Sequence, residues 1–158
     1  MAWFFGNNNP IYLEIGSGSG NFAQGMAKRY PERNHIGLEL RFKRLVLSAV
    51  KVKRDGSTNA LFLRRRGEEI LEFVAENEVV GIYVNFPDPW EENEKNRVVQ
   101  ESFFKTLDVI LKKGGMFYFK TDHDKYYQDV IDLVESLDGY RVVFILQTYI
   151  RVKRQQTI

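Results

Sequence analysis

Ile11-Tyr12-Leu13-Glu14-Ile15-Gly16-Ser17-Gly18-Ser19-Gly20 is the stretch that decides the fold. An apolar run of buried-strand character breaks into alternating glycines. Behind it, Asn21–Tyr30 carries Phe22, Ala23, Met26 and Ala27 at helical spacing, with Pro31 past its end. Strand, glycine turn and helix in that order open a βαβ unit.

The alternation continues outward from this unit. His35–Leu40 reads as a strand, and Arg41–Lys53 as a helix with Leu45, Val46, Ala49 and Val50 on one face. Ala60–Leu63 is a strand, Glu68–Ala75 a helix, and Gly81–Phe86 a strand closed by Pro87. Val98–Leu111 is helical by period, and Gly114-Gly115 turns the chain into a strand at Met116–Lys120. Asp124–Leu137 is the last helix and Tyr140–Leu146 the last strand, one strand short of a seven-stranded sheet. Such alternation predicts an α/β fold: a mainly parallel sheet with helices on both faces. With no repeat or linker in view, residues 1–158 are expected to form a single domain.

Composition narrows the chemistry. The chain has 158 residues, 44% hydrophobic and 28% charged, which suits one globular domain with a sizeable core. Absence of cysteine removes disulfides, thiolate zinc sites and cysteine nucleophiles; His35 and His123 alone cannot build a histidine metal site. No apolar run approaches the roughly 20 residues of a membrane span, and no signal pattern opens the chain, so a cytoplasmic protein without membrane or metal is expected. The net charge is only +2, but it is unevenly spread. Arg41–Arg66 holds nine Lys/Arg and one acid, whereas Gly67–Glu101 holds ten acids and two bases. A local basic patch can meet phosphates, extended by Arg151, Lys153 and Arg154; alternatively, Lys51, Lys53 and Arg54 are an ordinary solvated helix face.

In parallel sheets ligands gather beyond the carboxyl ends of the strands, and the chemically distinctive residues sit there. Gly16 and Gly18 allow a tight turn and close approach of a ligand to bare backbone. The G-x-G-x-G spacing is neither the dinucleotide fingerprint nor a P-loop. Glu39, ending the second strand, can accept hydrogen bonds from both hydroxyls of a ribose, or be a surface carboxylate beside Arg41 and Arg44. Asn85-Phe86-Pro87-Asp88-Pro89-Trp90 is stiff and rich in acceptors, which suits a planar base presenting N–H groups; in the plainer alternative Trp90 plugs the core. Lys120-Thr121-Asp122 ends the fifth strand, where Thr121 or Asp122 either caps the next helix or faces a substrate beside Asp88.

These motifs, NFPDPW above all, with LEIGSGSG and FKTD in support, resemble the tRNA (guanine-N7)-methyltransferase family, class I S-adenosylmethionine-dependent enzymes. The resemblance runs from Phe4 to about Tyr140. It implies a Rossmann-like fold and methyl transfer from S-adenosylmethionine to N7 of a guanine in the tRNA variable loop, giving 7-methylguanosine. By the same resemblance, Glu14, Gly16, Gly18, Glu39 and Asp88 surround the cofactor, and Glu68 is matched to the adenine contact. Asp88 takes the catalytic position; Asp122 and Thr148 are substrate-side contacts. The partner implied is tRNA, met by a monomer or homodimer. Two stretches depart from the pattern. Glu91-Glu92-Asn93-Glu94 stands where the family carries Lys and Arg, and Thr148-Tyr149-Ile150-Arg151 keeps only the Thr of a T-x-Y/F-E motif. Two other readings are a catalytically silent tRNA-binding subunit and a methyltransferase acting on another nitrogen. The latter uses an (N/D)-P-P-(Y/F) strand end, a spacing this chain lacks.

Overall fold

Ile36, Leu13, Ile82, Phe117 and Val152 stand side by side on five neighbouring strands, and each is essentially inaccessible to solvent. The next row, Leu38, Ile15, Val84, Phe119 and Ile150, repeats the pattern two residues further along. In-register partners share a face of the sheet, so these rows form one continuous apolar surface. The structure is a computed structural model that describes residues 2–146 and 148–155.

The elements run α1 (Ala2–Phe5), β1 (Ile11–Ile15), α2 (Asn21–Arg29), β2 (Asn34–Leu38), α3 (Phe42–Asp55), β3 (Ala60–Leu63) and β4 (Val79–Asn85). They continue through α4 (Glu101–Ile110), β5 (Leu111–Lys120), α5 (Asp124–Glu135), β6 (Tyr140–Leu146) and β7 (Tyr149–Arg154). Seven strands form one sheet in the order β3-β2-β1-β4-β5-β7-β6. Strands β1 to β5 are mutually parallel and β7 enters antiparallel between β5 and β6.

The apolar face is covered by α4 and α5. Phe103 and Phe104 meet Phe117 edge-on at 5.3 and 5.7 Å between ring centroids, and Tyr126 meets Phe119 at 5.1 Å. The Tyr126 hydroxyl accepts a hydrogen bond from the Val99 amide (2.9 Å), satisfying its polar end inside the core. On the opposite face α2 packs beside Tyr83 through Phe22, 4.9 Å away. Asn59 clips the end of α2 to the start of β3, donating to the carbonyls of Ala27 and Arg33 at 2.9 Å each. Helices therefore lie on both faces, as the alternation predicts.

Four local readings change. Glu68–Ala75 is not an α-helix: a 3-10 turn occupies Gly67–Glu72, burying only Ile70. The helix expected from Val98 starts at Glu101, because the Val99 amide is taken by Tyr126 and Gln100 is extended. Gly114-Gly115 lies within β5, where Gly114 at φ 79° permits a register shift rather than a turn. The unread seventh strand is Tyr149–Arg154, an alternation of buried Ile150 and Val152 with half-exposed Arg151 and Lys153.

Phe117→Ala should cost about 3–5 kcal/mol of folding free energy through the cavity it leaves. Phe144→Ala, at a residue 41% exposed on the other face, should cost about 1 kcal/mol or less. Denaturant midpoints of the two variants check the contrast, and equal losses would refute this division between the faces.

Candidate active site at the carboxyl edge of the sheet

Parallel strands bring the ends of β1 to β5 to one edge, so residues far apart in sequence converge there. Gly16, Gly18 and Gly20 have φ of 73, 57 and 76°, the left-handed region that favours glycine. Their surroundings differ. A Cβ on Gly20 would come within 2.6 Å of the Phe62 ring, whereas one on Gly16 would meet nothing within 4 Å. Gly20 serves packing, and Gly16 leaves the turn open.

Glu39 is buried, which rules out the surface-carboxylate alternative. One oxygen accepts from the Gly18 amide (2.9 Å) and the other from the Arg41 amide (2.7 Å), tying the glycine turn to the start of α3. Each carboxylate oxygen keeps a further acceptor position. Ser17, in the same turn, has a buried hydroxyl without a hydrogen-bond partner among the described residues.

Glu14 is 4% exposed and joins three elements. It accepts from the Ala23 amide in the first turn of α2 (3.2 Å) and from the Asn85 side-chain amide of β4 (3.1 Å). Burial pushes its pKa up to about 7, with the Asn85 and Ala23 hydrogen bonds opposing the rise. Asn85, read in the sequence as an acceptor for a base, spends its NH₂ group on this carboxylate.

After β4 the backbone is strained. Phe86 and Trp90 have φ of 50 and 46°, unusual for bulky residues, and bracket Pro87-Asp88-Pro89. Trp90 is 46% exposed, so it does not plug the core. The loop is held at both ends. The Phe86 amide donates to the Lys120 carbonyl at 2.7 Å, and the Pro89 carbonyl accepts from Arg97 Nε at 2.6 Å. Arg97 is itself buried, ion-paired to Asp129 at 2.7 Å and set over the Tyr126 ring at 4.5 Å. Sequence reading missed this brace. Its signal was a lone arginine closing an acidic stretch just before Val98-Val99.

After β5, Thr121 is buried and its hydroxyl accepts from the His123 amide (3.2 Å). His123, not Asp122, caps α5, its Nδ1 accepting from the Tyr126 amide at 3.0 Å. Asp122 and Asp88 are both exposed, and no hydrogen bond or ion pair is recorded for either among the described residues. Thr148 sits between β6 and β7 on the same edge, its carbonyl accepting from the Thr121 amide at 3.1 Å. Glu68 is exposed in the 3-10 turn after β3, while its neighbour Glu69 caps that turn by accepting from the Arg66 amide (2.7 Å). The edge thus brings together Glu14, Gly16, Gly18, Glu39, Asp88, Asp122 and Thr148. Glu68 lies on the 3-10 turn that leads back from β3, where its neighbour Gly67 comes against Ile15 of β1, a Cβ there being 3.4 Å from that side chain.

Glu14 makes stability depend on pH with a definite sign. A carboxyl whose native pKa is raised binds its proton more tightly when folded. Its contribution is therefore largest below about pH 4.5 and declines as pH rises to about 7. His35, whose pKa burial lowers to about 4, acts oppositely over part of this range, so the test is a difference between variants. Glu14→Gln should become relatively more stable than wild type between pH 5 and 8, by up to roughly 3 kcal/mol. Denaturant titrations at both pH values check this, and a pH-independent difference would contradict it.

A family model described as "Putative methyltransferase" matches residues 8–150. The chain is 60% identical over 141 residues to a bifunctional glycosyltransferase/methyltransferase of Fusobacterium nucleatum, an alignment covering 89% of this chain and 22% of that protein. It is 44% identical over 126 residues to a tRNA (guanine-N(7)-)-methyltransferase of Enterococcus faecalis, covering 78% and 59% respectively. The enzyme of that name from Bacillus subtilis is 37% identical over 149 residues, with 92% and 67% covered. The chain thus spans less than a quarter of the first of these relatives and about three fifths of the second.

Among solved structures, a SAM-dependent methyltransferase from Aquifex aeolicus superposes with a TM-score of 0.69 at 16% identity, covering 92% of this chain and 81% of that one. A putative methyltransferase from Streptococcus mutans in complex with SAH gives 0.68 at 17%, covering 92% and 89%. At such identities the likeness concerns the fold, and the fold is the class I methyltransferase one. The family model over residues 8–150 and the identities of 44% and 37% to two relatives named tRNA (guanine-N(7)-)-methyltransferase agree with the motifs at the strand ends: the chain belongs to the tRNA (guanine-N7)-methyltransferase family.

Proposed function

We propose that this chain transfers a methyl group from S-adenosylmethionine to N7 of a guanine in the variable loop of tRNA. The observation that carries the reading is the strained Pro87-Asp88-Pro89 loop. It is clamped by Lys120 and Arg97 and offers an exposed carboxylate, unpaired among the described residues, on the edge shared with the glycine turn.

The residues present fit the cofactor: an open glycine position, a buried serine hydroxyl lacking a partner among the described residues and two buried carboxyls stand together. Gly16 and Gly18 offer bare backbone, Glu39 retains acceptor positions for the ribose hydroxyls, and Glu68 takes the adenine side. Glu14, held near neutrality by burial, regains its charge when a cation approaches. The cofactor supplies a methyl carbon made electrophilic by the adjoining sulfonium.

Guanine N7 already carries a lone pair, so no residue need remove a proton before attack. The chain's task is alignment, which effective-molarity arguments value at about 7–11 kcal/mol at best. Asp88 accepts hydrogen bonds from guanine N1–H and the 2-amino group. It thereby orients the base and offsets the positive charge growing on the purine. Asp122 and Thr148 contact RNA beside it. Arg41 and Arg64-Arg65-Arg66, at the ends of β2 and β3, meet phosphates on the same edge.

Asp88→Asn should lower the turnover of unmodified transcript tRNA by roughly a hundredfold, the scale of losing one aligned electrostatic contact. The assay is methyl transfer from labelled S-adenosylmethionine followed by nucleoside analysis for 7-methylguanosine. An unchanged rate at saturating tRNA would remove Asp88 from the chemistry, and absence of 7-methylguanosine from the wild-type reaction would refute the reading.

A further inference from the structure

The face of β4, β5 and β7 opposite the phenylalanine core has an aromatic and basic surface that meets the site just described only at its upper end, through Asn85, Lys120 and Thr148. In register across it run Tyr83, Tyr118, Arg151 and Phe144, then Asn85, Lys120, Tyr149 and Leu146. The rings of Tyr12, Tyr83, Tyr118 and Tyr149 follow one another at 6.1, 4.5 and 6.4 Å, each within 27° of parallel to the next. Helix α2 walls one side through Phe22 and Met26, leaving a groove of about 450 Å³. Phe144 and Leu146, at its far side, are 41% and 57% exposed. The upper end of the groove, at Asn85, Lys120 and Thr148, opens on the carboxyl edge.

Charge decides what fits there. Lys120, Arg151 and Lys153 share this face, and no ion pair is recorded for them among the described residues. The Arg151 guanidinium lies 5.4 Å over the Phe144 ring, and its buried Nε has no hydrogen-bond partner among the described residues. Among the strand residues of this face the one carboxyl, Glu14, is buried against α2. An apolar cover would strand these cations without counter-charge, and a second copy would set like charges against each other. A nucleic-acid strand meets both demands, its bases stacking on the rings and its phosphates pairing with the cations. If the target guanine leaves its stack to meet the methyl group, its neighbours lose a stacking partner and need a surface.

We propose that this groove binds a single-stranded segment of RNA adjoining the target guanine, with a base against Tyr149 at the end of the ring series and phosphates at Lys120, Arg151 and Lys153. The proposal rests on the methyl-transfer reading for the identity of the RNA.

The test measures equilibrium binding of unmodified transcript tRNA across a salt series, with S-adenosylmethionine affinity, melting temperature, oligomeric state and 7-methylguanosine formation read in parallel. Tyr149→Ala should weaken tRNA binding roughly tenfold, and Tyr149→Phe, which keeps the stacking face, should restore it. Arg151→Gln combined with Lys153→Gln should lower the slope of log affinity against log salt by about one to two. Cofactor affinity and melting should stay at wild-type values in that double variant. Wild-type tRNA affinity and salt slope in both Tyr149→Ala and the double variant would overturn the groove while leaving methyl transfer standing. Weakened tRNA binding in those variants, with no 7-methylguanosine from wild type, would support the groove and refute the reaction instead. A wild-type dimer that Tyr149→Ala dissolves would overturn the proposal in favour of a second copy.

Discussion

The parallel register of β2, β1, β4 and β5 is the constraint on which the rest of the molecule depends. Side chains alternate between faces, so pairing Leu13 with Ile36 and Ile82 commits every neighbouring residue to one side or the other. A slip of one residue would turn Phe117 and Phe119 out of the core and bring Tyr118 and Lys120 into it. The same register aligns the strand ends. The glycine turn, Glu39 and the Asp88 loop share an edge because the strands before them are parallel and in step.

That edge concentrates unfavourable features which the remainder of the fold offsets. Phe86 and Trp90 hold left-handed backbone, Glu14 is a buried carboxyl, and Ser17 keeps a hydroxyl without a partner among the described residues. Each costs on the order of 1–3 kcal/mol in isolation. Arg97 shows how the offset works. Buried under the loop, it spends one N–H on the Pro89 carbonyl and another on Asp129, while its plane rests on Tyr126, a core residue. The loop is thereby fixed to α5 rather than left to its prolines alone.

The two faces of the sheet are built for different purposes. One is closed by α4 and α5 with edge-on aromatic contacts and provides most of the cohesion. The other is covered by α2 near β1 and β2, then opens over β4, β5 and β7 onto rings interleaved with cations. Hydrophobic burial explains the first surface. The second carries the rings and cations on which RNA binding is proposed, beside the edge where the proposed reaction takes place.

Much of this was readable along the chain. Local hydrophobic period and glycine placement are properties of neighbouring residues, so the βαβ order, the mainly parallel sheet and the strand-end motifs follow from the sequence by itself. Gly16, Gly18, Glu39, Asp88 and Asp122 are polar or glycine residues just past the end of an apolar strand, whereas Glu14, inside β1, is singled out only by the family resemblance. What depended on partners distant in sequence did not show. Strand β7 buries only Ile150 and Val152 and resembles a charged tail until β5 and β6 flank it. His123 caps α5, and neither Thr121 nor Asp122 does; Thr121 turns inward and takes the His123 amide. The role of Arg97 requires α5 to lie behind the Asp88 loop, and the tyrosine series requires four strands to be set in order. Pattern along a chain specifies which elements form. Which side chains meet across them is decided by sheet order and register, which only the tertiary packing supplies.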